Sequence, residues 1–160
     1  MIFALAMVLS FVEHSLPAMP FLPPGVKLGL SNVVTMYCLF SVGKSAAFTV
    51  AGLKSLFILL IRGPISGFLS LCGGMASVLI MLILISFKKQ DPSYMLISVA
   101  GAVCHNLGQL LGTTAVLKTQ FTLYYMPVMV ISGVGMGILT GILLRTIMPA
   151  IRKMQEKLRY

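Results

Sequence analysis

Residues Ile65–Phe87, ISGFLSLCGGMASVLIMLILISF, run for 23 residues without a charged side chain. A bilayer's hydrocarbon core needs about 20 apolar residues of α-helix to cross it. Arg62-Gly63-Pro64 stops the chain just before this stretch, and Lys88-Lys89-Gln90-Asp91-Pro92 stops it just after. The run therefore reads as one complete membrane span, and similar runs recur on both sides of it.

Working outward, the third span is expected over Ser45 to Ile61 and the second over about Leu28 to Val42, with Gly43-Lys44 as a tight turn between them. The first runs from Ile2 to about Leu16. Pro17, Pro20, Pro23, Pro24 and Gly25 then forbid regular helix and give a loop. The fifth is expected over Ser93 to Leu117 and the sixth from near Tyr124 to Ile147. Pro149 is expected to end it and lead into a basic amphipathic tail over about 149–160. The first apolar stretch lacks a basic n-region and a clear cleavage site, so it reads as a span rather than a leader. The fold class is thus an all-α polytopic membrane protein of six transmembrane helices, with residues 1–160 as a single transmembrane domain.

Composition agrees. Of 160 residues, 58% are hydrophobic and 9% charged, and the mean hydropathy is +1.02. Soluble domains carry about 25% charged residues. The net charge of +9 follows the positive-inside bias. Lys44, Lys88, Lys89, Arg145, Arg152, Lys153, Lys157 and Arg159 fall on one side, against Lys27, Arg62 and Lys118 on the other. Both termini are therefore expected in the cytoplasm of a cell-membrane protein. The basic tail suits anionic lipid, not nucleic acid.

Polar groups within such spans usually face a cavity, a partner or water, because an ionisable one costs about 2.5–3.5 kcal/mol on insertion. His105 and Gln109 are four residues apart and share a helix face, with Asn106 beside them and Gly101, Gly108 and Gly112 flanking. They could bind a polar ligand group or only lock helices together. Lys54 in mid-span and Arg62 two turns on read as an anion site, or as a snorkelling lysine and an interfacial arginine. Lys27 and Asn32 add a cation and an amide near the same side; Glu13-His14 could pair with a cation or touch ligand. The candidate substrate site is Lys27, Asn32, Lys54, Arg62, His105, Asn106 and Gln109, open to the outside under the Pro-rich loop. On span one, Ala4-x-x-x-Val8 and Ala6-x-x-x-Ser10 form a small-residue stripe suited to packing or to docking a membrane partner through Ala4, Ala6 and Ser10.

Enzyme chemistry is not expected. Glu13, Asp91 and Glu156 are the only carboxylates and lie on separate segments, so no Asp-rich Mg²⁺ site forms. There is no Walker A motif. Cys38, Cys72 and Cys104 stand alone and read as buried hydrophobes, with no metal ligation and no cofactor expected. The twelve methionines read as filler, and the Gly63/Gly67/Gly73/Gly74 series as close helix packing.

Three stretches carry a family resemblance: Pro24-Gly25-Val26-Lys27-Leu28-Gly29-Leu30-Ser31-Asn32, Arg62-Gly63-Pro64 through Gly73-Gly74, and Gly101-Ala102-Val103-Cys104-His105-Asn106-Leu107-Gly108-Gln109. They resemble segments of the substrate-specific S components of energy-coupling factor (ECF) transporters, within these the Gx transporter family, also labelled heptaprenyl diphosphate synthase component I. The resemblance implies an S-component-like bundle that captures a scarce small molecule from outside. ATP hydrolysis would come from separate ATPase subunits with a scaffold T subunit, docked on a stripe like that of span one. The ligand expected is anionic or amphiphilic, such as an isoprenoid or quinone-related precursor. The synthase label implies instead a non-catalytic membrane subunit beside a soluble polyprenyl diphosphate synthase.

Overall fold

A computed structural model of the chain describes residues 2–15, 30–87 and 93–157, and these are helical nearly throughout. The order is α1 (Ile2–Ser15), α2 (Leu30–Ser41), α3 (Lys44–Arg62), α4 (Pro64–Phe87), α5 (Tyr94–Leu117), a 3-10 segment (Gln120–Tyr125) and α6 (Met126–Lys157). The six expected helices are present, with α1, α3, α4 and α5 ending within a residue or so of the sequence reading. Among the described residues, four stretches are long and apolar enough to cross a bilayer: α3, α4, α5, and residues Gln120–Thr146. As helices, α1 and α2 are shorter, with 14 and 12 residues, or about 21 and 18 Å at 1.5 Å per residue. Neither reaches across a core of about 30 Å as a helix alone.

Two glycines make the hairpins. Gly43 (φ 136°) and Gly63 (φ 88°) take backbone conformations that a side chain disfavours. Gly43 N–H donates to the Cys38 carbonyl at 2.8 Å, and Gly63 N–H to the Leu59 carbonyl at 3.0 Å. Pro64 then opens α4, where its missing N–H is no loss. The α3–α4 hairpin is zipped from this turn: Gly67 lies against Leu59, and Ser55 Oγ donates to Ser70 Oγ at 3.5 Å.

The seam between α5 and α6 has a regular register. Gly133 lies against Val103, Gly137 against Val99, and Gly141 against Met95. Each four-residue step along α6 meets a four-residue step back along α5. A bilayer gives helices little hydrophobic reason to associate, so close backbone approach at small residues supplies the attraction. Near one end of the seam Ser98 and Thr140 share a hydrogen bond of 2.6 Å. The helices close a ring, because α2 packs on α6 as well as on α3, and α1 leans on α2 and α3. Met36, Val50, Val78, Met81, Ile97 and Leu144 fill the interior, while Leu60, Ile65, Leu111 and Ile131 are exposed on its surface. Large apolar side chains over the outside of long apolar helices are what a lipid environment requires. The chain is a multi-pass membrane protein.

Pro149 does not end the sixth helix; α6 continues through it to Lys157. A proline removes one backbone hydrogen bond, but Met148 beside it is buried and its sulfur accepts a 3.8 Å hydrogen bond from Ser41. That contact ties the helix to α2 at the point where the sequence alone predicts a stop. At its other end α6 starts two residues later than Tyr124. The 3-10 turn precedes it, capped by Thr119, whose hydroxyl accepts from Phe121 N–H at 3.4 Å.

Candidate functional site

Asn32 stands eleven residues before Gly43 and Lys54 eleven residues after it. A hairpin folded at Gly43 therefore sets them at one level. Lys54 Nζ donates to Asn32 Oδ1 at 3.2 Å, and both residues are buried, at 7% and 9% exposure. Lys54 lies ten residues from the start of α3 and eight from its end, about 15 Å and 12 Å along the axis. The amine is thus held near the middle of α3, bonded to a neutral amide, and Lys54 has further interactions besides.

The next hairpin carries the level across. Lys54 is nine residues before Gly63 and Cys72 nine after, so Gly73 sits almost opposite Lys54 in height. α5 comes close at Gly73: a Cβ placed there would lie 2.7 Å from Gln109 Cγ, 2.8 Å from the His105 carbonyl oxygen and 3.0 Å from His105 Cε1. His105 is buried and Gln109 half-buried. Asn32, Lys54 and His105 therefore share one depth, with Gln109 one turn along α5. Asn106 is buried too but faces α6, where its Nδ2 donates to the Met129 carbonyl at 2.9 Å. That bond joins two helices.

Of the seven sequence candidates, the structure brings Asn32 and Lys54 into contact, and puts His105 and Gln109 together on Gly73. Arg62 is exposed at the end of α3, two turns from Lys54, and is engaged by other groups. Lys27 lies outside the described residues, as does the Pro-rich loop. Among the described residues no group of three or more His, Cys, Asp or Glu side chains could hold a metal ion. Cys38 is buried and free, and Cys72 and Cys104 are half-buried and free. The sequence marks Gly73 only as a packing residue; the structure sets it against the His105 ring and the Gln109 side chain.

The small-residue stripe of α1 divides. Ala6 is 3% exposed and belongs to the core, whereas Ala4 is exposed together with Val8, Phe11 and Val12. Residues two apart point about 200° apart on a helix, so Ala4 and Ala6 do not form one face. The Ser10 side chain lies outside what is described.

The whole fold is similar to a solved structure of the S component of a bacterial ECF transporter. The TM-score is 0.66 at 23% identity, and the match covers 99% of this chain and 94% of that one. At that identity the likeness is one of fold: the bundle is S-component-like. Residues 2–147 match the heptaprenyl diphosphate synthase component I family, and the chain belongs to that family. No curated protein matches the chain.

Proposed function

We propose that the chain is the substrate-binding membrane subunit of an ECF-type importer, a non-catalytic S component with both termini in the cytoplasm. The observation that carries this reading is Lys54, buried at mid-depth on Asn32 at the level of His105, inside a bundle of S-component fold. A lysine there is costly in an apolar medium and gives a ligand anion a preorganised partner. Buried apolar residues one helical turn away in the chain, Met36 from Asn32 and Ala51 from Lys54, suit the rest of an amphiphilic molecule. The ligand class is a small anionic or amphiphilic compound, of which isoprenoid and quinone-related precursors are examples. Arg62, Lys27 and Gln109 would complete its contacts. Transport would need an ECF T subunit and ATPase subunits, docked on the exposed Ala4 face of α1.

The family description favours a second reading, a membrane subunit accompanying a soluble polyprenyl diphosphate synthase. Gentle purification with native mass spectrometry tests both. The first reading expects a retained small molecule and co-purifying T and ATPase subunits. A soluble prenyl synthase in their place supports the second, and the first is then wrong.

A further inference from the structure

We propose that the 3-10 segment Gln120–Tyr125 is an embedded interfacial anchor whose aromatic face lies in the lipid at the headgroup boundary. It docks on phospholipid and so fixes the depth of the α5–α6 hairpin.

The argument starts from register. Gly133 against Val103 and Gly137 against Val99, with Asn106 bonded to Met129, continue to Met126 beside about Leu110. The last residue of α5 is Leu117, seven residues further, or about 10 Å. α6 therefore starts well below the end of α5. Six residues of 3-10 helix rise about 12 Å, which matches the gap. The segment runs back down alongside the last two turns of α5, packed on α5 and α6, and is not a loop projecting into water. α5 has 24 residues, about 36 Å, against a hydrocarbon core of about 30 Å. With His105 and Asn106 at its centre, the segment covers a band from about 7 to 17 Å from mid-depth. That band contains the hydrocarbon–headgroup boundary.

The chemistry fits that depth. Phe121 and Tyr124 are 76% and 80% exposed, and Tyr125 is 55% exposed. The Phe121 and Tyr124 rings stack with centroids 6.3 Å apart. At three residues per turn, positions three apart lie on one face, so the pair makes a single aromatic surface. The two spans that flank it also expose apolar side chains, Val116 and Leu117 at the end of α5 and Val128 and Ile131 at the start of α6. Polar demand is met locally, since Thr122 Oγ1 donates to the Thr119 carbonyl at 3.2 Å and Thr119 caps the turn. Tyrosine suits such a boundary because its ring is apolar and its hydroxyl stays hydrated.

The chain has no tryptophan, so a single introduced one reports its own surroundings. The full chain carrying Tyr124→Trp, and separately Phe121→Trp, is reconstituted in phosphatidylcholine vesicles brominated either near the headgroup end or near the methyl end of the acyl chains. Ile131→Trp, on the exposed mid-depth face of α6, is the reference. The anchor expects greater loss of emission with shallow bromine than with deep bromine at 124 and 121, the reverse at 131, and little quenching by aqueous iodide at any of them. Strong iodide quenching with no response to brominated lipid at 124 and 121 overturns the proposal. Deeper quenching there than at 131 overturns it as well.

Discussion

Gly73→Ala, compared with Gly52→Ala, separates close helix contact from ordinary helix propensity. Both glycines are inside helices, and alanine is favoured over glycine in a helix by about 1 kcal/mol. A Cβ at Gly52 meets nothing within 4 Å, so Gly52→Ala is expected to be neutral or stabilising by up to about 1 kcal/mol. At Gly73 the same methyl falls 2.8 Å from the His105 carbonyl oxygen and 2.7 Å from Gln109 Cγ. The glutamine can move, but the carbonyl belongs to the main chain of α5, so the two helices must part. Overpacking of this kind costs about 1–3 kcal/mol, and the two variants should differ by about that amount. The assay is thermal melting of purified protein in mild detergent, read by a thiol-reactive dye that reports the buried Cys38 on unfolding. Gly73→Ala should melt lowest, wild type and Gly52→Ala higher. If Gly73→Ala melts with or above Gly52→Ala, α4 and α5 do not meet here as described, and the positions of His105 and Gln109 fall with that contact.

Lys54→Ala should weaken ligand binding by about two orders of magnitude, since breaking a buried charge pair with a ligand costs about 3 kcal/mol. Gln109→Ala, losing a neutral hydrogen bond, should cost about 1 kcal/mol; normal melting with unchanged affinity in Lys54→Ala would end the anionic-ligand reading. For orientation, a cysteine replacing Pro64 should react with a membrane-impermeant thiol reagent from outside intact cells and one replacing Lys44 should not, and the opposite labelling would invert the topology. Ala4→Trp should abolish transport while leaving ligand binding intact, because Ala4 is exposed. Ala6→Trp should lower the melting temperature instead, because Ala6 is buried, and transport that survives Ala4→Trp would remove this face as the docking surface.

Most helix ends were legible because breakers wrote them. Gly43 and Gly63-Pro64 each stop one helix and start the next, and the structure turns at both. Pro149 misled because a proline reports only the hydrogen bond it cannot make. The Ser41–Met148 contact that holds the helix on course joins residues 107 positions apart. The 3-10 turn was hidden because an aromatic run before an apolar one reads as the start of the same span. In the site, the level shared by Asn32 and Lys54 was implicit in equal counts from Gly43, and the α4–α5 contact at Gly73 that brings His105 to that level was not. Ala4 and Ala6 look alike in a string, and the packing of α1 on α2 and α3 decides which of them is covered.

The eleven-residue arms on either side of Gly43 also bear on how the protein is made. Asn32 and Lys54 are only 22 residues apart, so a chain emerging from the ribosome holds both partners as soon as its second hairpin is out. An amide bonded to the lysine offsets part of its insertion penalty of about 2.5–3.5 kcal/mol, and that partner is at hand at the step where the penalty arises. That one contact precedes α5 and α6, whereas the bond from Ser41 of α2 to Met148 waits for the sixth helix.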